Sequence, residues 1–178
     1  REIHLCGDNS AVNLVKKICS STGDRVHVHE YKRLSPLVLE EQSLVPHRNK
    51  KESDWVRRLR AGDCVVAFGR SKLFQLKALI EAETEHKCCV IYGALPPETR
   101  SKQAKEFNEG GKDILVTTDA VGMGLNLNIG RIIFYEVAKF DGVKSRMIAP
   151  PEMRQVGGRA GSFKSKFPIG HVTAIVQP

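Results

Sequence analysis

The sequence predicts an α/β fold, a three-layer sandwich in which helices cover both faces of a mostly parallel central sheet. Two observations predict this class. Apolar runs of strand length alternate along the chain with segments whose apolar residues recur at helical spacing. The run at 64–68 is apolar at consecutive positions, which is typical of a parallel strand that is buried on both faces.

The predicted strands are short apolar runs that are bounded by turn residues or polar segments. They lie at residues 3–6, 26–31, 37–39, 64–68, 88–92, 114–118, 132–135 and 172–176. The polar segment 41–51 contains a proline and is predicted to be a loop.

Each predicted helix begins at a residue that favours helix N-termini. The first follows Asp8, Asn9 or Ser10, and two more follow Ser53 and Ser71, because Asp, Asn and Ser are good N-caps. A fourth helix is predicted over 97–108, since proline suits a first turn and two glycines come shortly after its end. The last predicted helix follows the prolines at 150–151.

Length and composition exclude two classes of protein. The chain has 178 residues, of which 41% are hydrophobic and 27% charged, as in a globular domain rather than a disordered chain. No apolar run approaches the ~20 residues of a membrane-spanning helix, so no membrane association is expected. The chain opens at Arg1 without a methionine, and we expect it to be a piece of a longer protein.

Positive charge is concentrated near the C-terminus. The net charge is +8, and residues 139–166 carry seven basic against two acidic side chains, a difference of +5. Localised positive charge suits a polyanion, of which nucleic acid is the commonest. A solvated basic surface explains the charge equally well at this stage.

The five cysteines indicate a reducing compartment. Their number is odd and no pair has C-x-x-C spacing, so neither a disulfide nor a metal site is expected. Most of them lie in apolar runs, where cysteine behaves as a small hydrophobic residue.

The segment 114–126 is the first candidate for phosphate chemistry. A buried strand leads into Thr117, Thr118 and Asp119, and glycines follow. Small hydroxyls and backbone N–H groups at a strand end can bind a phosphate oxygen. Taken alone, the segment is better explained as a tight turn in which Asp119 caps a helix.

The segment 154–162 is the second candidate. Gln155 and Arg159 are four residues apart and share one face if the segment is helical. Arginine forks bind phosphate in a bidentate way, although a basic surface helix that binds nothing is the alternative. Because ligands of open α/β sheets bind at the carboxyl edge, we expect both segments at that edge. Neither a P-loop nor a dinucleotide fingerprint is present, so tight nucleotide binding by this chain alone is not expected.

Together the two segments resemble a known family. T-T-D-x-x-x-x-G-x-N at 117–126 and Q-x-x-G-R-x-G at 155–161 resemble motifs V and VI of superfamily 2 helicases, and 65–71 resembles motif IV. The strings at 31–36, 91–97 and 122–127 are similar to those of mitochondrial degradosome RNA helicases of the suppressor-of-var type. The resemblance covers nearly the whole chain.

This resemblance implies a domain division and a function. Residues 1–25 would be the tail of a first RecA-like lobe, and 26–178 the second RecA-like lobe, a helicase C-terminal domain of P-loop NTPase type. The lobe would complete an ATP site and bind the backbone of RNA that is unwound for degradation in the mitochondrial matrix. ATP and Mg²⁺ would be held mainly by the upstream lobe, so that this chain alone is inactive. Binding of DNA and docking of an exoribonuclease are left open.

The resemblance also assigns roles to individual residues. The implied RNA contacts are Thr118, Thr117, Arg70 and Lys72. The implied nucleotide-binding residues are Asn126, Gly124 and Arg154. The implied catalytic residues are Arg159 and Gln155.

The chain departs from the family pattern at Ser162. The family motif usually ends in an arginine at this position, and that arginine touches the γ-phosphate. An arginine finger contributes a factor of roughly 10³–10⁵ to the rate, which a serine hydroxyl cannot supply.

Two other classes of function also stay open: a non-enzymatic basic RNA-binding module, and a small-molecule enzyme of doubly wound fold.

Overall fold

The computed structural model describes residues 2–40, 44, 54–122 and 124–175. The chain divides into two compact units, Arg1–Arg33 and Leu34–Pro178, which are described separately. Within the described residues, no helix has both the length and the apolar character that crossing a membrane requires.

The first unit contains one helix, α1 (Val12–Thr22), preceded by a 3₁₀ turn at Asn9–Ala11. The Asp8 carboxylate caps the turn by accepting a hydrogen bond from the Ser10 N–H at 3.1 Å, and the left-handed Gly23 ends the helix. The strands predicted at 3–6 and 26–31 are wrong, because both segments are irregular. Strand-like apolar runs become strands only where a neighbour pairs with their backbone, and these two have no strand partner within the described residues.

The second unit is built on a parallel sheet. Its strands are β1 (Leu37–Leu39), β2 (Asp63–Val66), β3 (Cys88–Ile91), β4 (Ile114–Thr117), β5 (Arg131–Phe134) and β8 (Gly170–Ala174). Within the described residues these six strands are all parallel and lie in the order β1-β8-β5-β2-β4-β3. A separate antiparallel hairpin consists of β6 (Ala138–Phe140) and β7 (Ser145–Met147).

Helices cover both faces of the sheet. They are α2 (Arg70–Glu83), α3 (Pro97–Asn108) and α4 (Pro150–Gly157), together with 3₁₀ turns at Asp54–Arg58 and Asp119–Gly122. The turn at Asp54–Arg58 and α2 pack on one face, while α3, the segment 119–129 and α4 pack on the other. Successive strand residues such as Val65 and Val66 point into opposite cores, so the predicted three-layer sandwich is confirmed.

Several local predictions need correction. The helix predicted after Ser53 is a 3₁₀ turn, and α2 starts at Arg70 with Gly69 at its N-cap, so Ser71 lies inside the helix. The hairpin at 138–147 was not predicted. The loop predicted at 41–51 lies outside the described residues, apart from the buried Leu44.

Two of the predicted strands carry buried cysteines. Cys64, Cys88 and Cys89 lie among apolar residues of the two cores, where a charged thiolate is poorly solvated. Burial raises the pKa of Cys88 and of Cys89 to about 12. These thiols therefore act as small core side chains.

A buried ion cluster joins three strands near the amino ends of β2 and β5. The Arg131 guanidinium donates to both carboxylate oxygens of Asp63, at 3.0 and 2.6 Å, and to Glu40 at 3.2 Å. It also donates to the Arg58 carbonyl at 3.0 Å, so each of its three nitrogens donates a hydrogen bond. Because the Asp63 and Arg131 side chains are only 1% and 7% exposed, neither charge can be left without its partner cheaply.

We expect Asp63→Ala to lower the free energy of unfolding by roughly 3–5 kcal/mol, because the Arg131 charge would stay buried without its main partner. Urea denaturation of the 178-residue chain measures the change. The control is Lys105→Ala, which removes an exposed ion pair to Glu109 (3.8 Å) and is expected to change stability by less than about 0.5 kcal/mol. Equal effects of the two substitutions would contradict the assignment of Asp63.

Candidate functional site

Thr118 lies where β4 ends, at the carboxyl edge of the sheet. Its N–H donates to the Ile91 carbonyl at 3.3 Å, and its hydroxyl oxygen accepts from the Ala120 N–H at 3.2 Å. The hydroxyl therefore caps the 3₁₀ turn that follows, a role the sequence had suggested for Asp119. The hydroxyl also has a hydrogen to donate, since a hydroxyl both accepts and donates.

Thr117 does not reach the surface, contrary to its predicted contact with RNA. Its side chain is fully buried, and its hydroxyl donates to the Thr118 carbonyl at 3.1 Å. The alternation of side chains along β4 explains the difference, because two neighbouring threonines cannot both face the same side.

Two cations lie over aromatic rings at the same edge. Arg70 begins α2 after the short loop that follows β2, and its guanidinium lies 5.0 Å from the centre of the Tyr92 ring. The Lys72 ammonium lies 5.6 Å from the centre of the Tyr135 ring. Tyr92 follows β3 and Tyr135 follows β5. In the order β5-β2-β4-β3 these strand ends are neighbours, so we call Arg70, Lys72 and Thr118 the strand-end surface.

One carboxylate also lies at this edge. Glu136, which follows β5, accepts a hydrogen bond from the Phe68 N–H at 3.0 Å, and Phe68 follows β2. This bond joins the ends of two neighbouring strands. The carboxylate therefore fixes the loops that precede α2.

Asn126 lies at the far end of the segment that leaves Thr118. Its carbonyl accepts from the Asn108 side-chain amide at 2.9 Å, and the same amide's oxygen accepts from the Asn128 N–H at 2.8 Å. Because Asn108 is the last residue of α3, these bonds hold the segment against the end of that helix. The side chain of Asn126 is exposed, and the left-handed Gly124 before it is also exposed.

The helix α4 carries the second candidate segment. Arg154 and Gln155 are exposed on it, while Val156 and Gly157 are buried against the sheet. Arg159 follows the helix and is partly buried, with its N–H bonded to the Val156 carbonyl at 3.0 Å.

The prediction that both segments share the carboxyl edge is wrong. Beyond Arg159, the Gly161 N–H donates to the Ile129 carbonyl at 2.8 Å, just before β5 begins, and Gly161 lies against Gly170 at the start of β8. The eight residues of α4 extend about 12 Å, enough to bring Arg159 back to the amino ends of the strands. The helix nevertheless packs against the 3₁₀ turn that follows Thr118, so the segments are neighbours on one face.

The structure thus separates the predicted residues into two groups. Arg70, Lys72 and Thr118 lie at the carboxyl edge. Apart from the buried Thr117, the remaining predicted residues lie on the face that α4 and the 119–129 segment cover. These are Gly124, Asn126, Arg154, Gln155 and Arg159.

The hairpin adds an ion network that sequence reasoning missed. Glu152, the third residue of α4, accepts from the Arg146 guanidinium at 2.8 and 3.0 Å, from Lys139 Nζ at 2.6 Å and from the Ala149 N–H at 2.8 Å. Lys139 Nζ also lies 3.1 Å from an Asp119 carboxylate oxygen. Hydrogen bonds from Arg146 and Lys139 hold the pKa of Glu152 well below its usual value. A glutamate at the third position of a proline-led helix was the available signal.

Metal-ligating side chains do not gather at either group. In the part of the chain that the structure describes, no cluster of three or more His, Cys, Asp or Glu could hold a metal ion.

The six-stranded parallel sheet with helices on both faces is the fold of a RecA-like helicase C-terminal lobe. Residues 50–164 match the helicase conserved C-terminal domain, and residues 1–31 match the DEXQ-box helicase domain of Suv3. The chain belongs to the helicase C-terminal domain family.

Two curated relatives resemble nearly the whole chain. It is 50% identical over 177 residues to an ATP-dependent RNA helicase SUV3L, mitochondrial, of Oryza sativa subsp. japonica, covering 98% of this chain and 23% of the relative. It is 46% identical over 172 residues to the mitochondrial ATP-dependent RNA helicase SUV3 of Saccharomyces cerevisiae, covering 97% and 22%. The chain therefore spans less than a quarter of the length of these relatives.

A solved structure supports the fold at low sequence identity. Dbp5 of S. cerevisiae, bound to RNA and ADP BeF3, matches with a TM-score of 0.63 and 14% identity, covering 93% of this chain and 43% of Dbp5. This likeness concerns the fold alone.

We expect Gly161→Ala to be more damaging than Gly110→Ala. Both glycines have positive φ, +70° and +80°, so each substitution costs roughly 1–2 kcal/mol in backbone strain. A Cβ at Gly110 would meet open space, whereas one at Gly161 would overlap the Gly170 backbone, which adds roughly 1–3 kcal/mol. Thermal and urea denaturation measure the difference. Equal losses would show that Gly161 is not held against β8.

Proposed function

We propose that residues 26–178 are the second motor lobe of an ATP-dependent RNA helicase and that residues 1–25 are the tail of its first lobe. The matches of residues 1–31 and 50–164 to two different helicase domains support this division. The observation that carries the proposal is the placement of two phosphate-type groups of residues on one lobe, one at a strand edge and one beside α4.

The strand-end surface is proposed to bind the RNA backbone. The two cations are oriented by the aromatic rings beneath them, and the Thr118 hydroxyl can donate to a phosphate oxygen. Contacts of this kind do not read sequence, which suits an enzyme that moves along many sequences. The fully buried Thr117 is left out of this interface.

The second group is proposed to face ATP that is held with Mg²⁺ mainly by the first lobe. This chain has no P-loop of its own, so the triphosphate needs a second body. Arg159 and Gln155 would then complete the site when the lobes close, with Arg154, Asn126 and Gly124 beside the nucleotide. A guanidinium stabilises the negative charge on the phosphoryl group in the transition state of its transfer, so closure of the lobes would start hydrolysis. Reopening of the lobes would then shift Thr118 along the RNA.

The names of the curated relatives support a cellular location for the proposed helicase. Both curated relatives described above are named mitochondrial RNA helicases, so we place this protein in mitochondria, in the matrix, with RNA as its substrate. Unwinding there would prepare RNA for degradation, and an exoribonuclease is the class of partner that would consume the single strand.

We expect Arg159→Ala in the full-length protein to abolish ATP hydrolysis and to keep much of the RNA affinity. The reason is that Arg159 lies beyond α4, away from the strand-end surface. Steady-state ATPase assays and RNA binding across a salt series measure the two properties. Normal ATPase activity in this variant would refute the proposed catalytic role, and parallel loss of both properties would refute the separation of the two groups.

We expect Ser162→Arg to raise the ATP turnover of the full-length protein. Ser162 is exposed, and its backbone donates to the Phe167 carbonyl at 3.0 Å and accepts from the Ser165 N–H at 3.1 Å, so the turn forms without its side chain. A new guanidinium could supply part of the roughly 10³-fold or greater effect of an arginine finger. Ser162→Gln is the control for size without charge. Unchanged turnover in Ser162→Arg would mean that another residue already provides the charge.

A further inference from the structure

Lys139 connects the two groups of the proposed site. It lies on β6, and its ammonium is 3.1 Å from Asp119 and 2.6 Å from Glu152. We propose that Lys139 is a positioning residue that couples RNA binding at Thr118 to nucleotide binding at α4. This inference rests on the proposed function and goes beyond it, since Lys139 is not among the residues proposed to bind RNA or the nucleotide.

The two ion pairs of Lys139, to Asp119 and to Glu152, form a bridge, and its Asp119 end adjoins the residue proposed to bind RNA. Asp119 directly follows Thr118 and opens the 3₁₀ turn that the Thr118 hydroxyl caps. The Val121 N–H also donates to the Thr118 carbonyl at 3.2 Å. A shift of Thr118 on a phosphate therefore moves Asp119 relative to Lys139.

The Glu152 end of the bridge lies on the helix that carries residues proposed to face the nucleotide. Glu152 bonds to the Ala149 N–H at the start of α4, and Arg154 and Gln155 follow it on the same short helix. A one-piece helix of eight residues moves as a rigid element, so a displacement of Arg154 or Gln155 towards a nucleotide also moves Glu152.

The hairpin presents its two cations to a single carboxylate. Lys139 and Arg146 are directly paired across β6 and β7, and like charges in that position destabilise a strand pair. Both cations bond to Glu152, which offsets part of the repulsion. Asp119 faces Lys139 at 3.1 Å and Asp141 faces Arg146 at 3.8 Å, and neither lies on α4. The shared carboxylate therefore makes the hairpin sensitive to the position of α4.

The partial exposure of the Lys139, Glu152 and Asp119 side chains suits contacts that rearrange rather than contacts that stabilise one conformation. The side chains of Lys139, Glu152 and Asp119 are 17%, 32% and 46% exposed. Ion pairs this open contribute about 0–1 kcal/mol to stability, so their loss is tolerated by the fold. What Lys139 contributes is the relative orientation of the turn and the helix.

The test measures coupling at equilibrium in the full-length protein. The affinity for a fluorescent single-stranded RNA is determined by anisotropy with and without a non-hydrolysable ATP analogue, and the ratio of the two affinities is the coupling factor. Allosteric couplings are typically 5- to 150-fold, and we expect Lys139→Met to bring the wild-type factor within about twofold of unity. Lys139→Arg, which keeps the charge and the reach, is expected to retain most of it.

Two further variants make the result specific. Lys144→Met removes an exposed cation from the same hairpin and is expected to keep the wild-type coupling factor. Asp119→Asn breaks the bridge from its other end, and it is expected to reproduce the loss even if Lys139→Met folds poorly. The double variant Lys139→Met/Asp119→Asn should lose no more than either single one, because the two residues act through one bridge.

The outcomes separate the inference from the proposed function. A wild-type coupling factor retained in both Lys139→Met and Asp119→Asn would overturn the role of Lys139 and leave the helicase proposal intact. Equal losses in Lys139→Met and Lys144→Met would overturn it as well, since general charge would then explain the effect. A wild-type protein whose RNA and nucleotide affinities are both absent would refute the proposed function itself.

Discussion

Parallel pairing of the strands is the constraint on which the rest of the lobe depends. Each connection between parallel strands must start at the carboxyl edge and return to the amino edge. In the described residues of the connection from β4 to β5 there is no α-helix, and this connection packs Val121, Leu127 and Ile129 into the core. One connection therefore carries Thr118 at one edge and Asn126 near the other, so two ligands bound at these places would share one stretch of backbone.

The motifs could be located from the sequence, but their mutual position could not. Pro97 and the glycines after Asn108 predict the limits of α3 correctly, and the continuous apolar runs mark the buried strands β2 and β4. The edge at which Arg159 lies depends on the length of α4 and on the close contact of Gly161 with Gly170, which no local pattern encodes. Spacing identifies a motif, whereas packing decides where its residues end up.

The hairpin at 138–147 shows why a weak local signal is easily passed over. Asp141-Gly142 is a good turn sequence, and the Asp141 carboxylate accepts from the Val143 and Lys144 N–H groups, both at 2.9 Å. The strands on either side have only three residues each and expose Phe140 and Met147, so no apolar alternation marks them. Ion pairs with α4 and the turn at Asp119 hold the hairpin, and those partners are distant in the sequence.

Two ion clusters in one lobe differ in what they can do. The cluster around Asp63 and Arg131 is buried, and breaking such a pair costs roughly 3–5 kcal/mol, so it fixes the strands it joins. The cluster around Lys139 is partly exposed, and each of its pairs contributes about 0–1 kcal/mol. Coupling between sites typically amounts to about 1–3 kcal/mol, which two or three such open pairs can supply and a buried one cannot release. The lobe therefore keeps its sheet rigid at the amino edge while the contacts between the Asp119 turn and α4 stay weak enough to rearrange with a ligand.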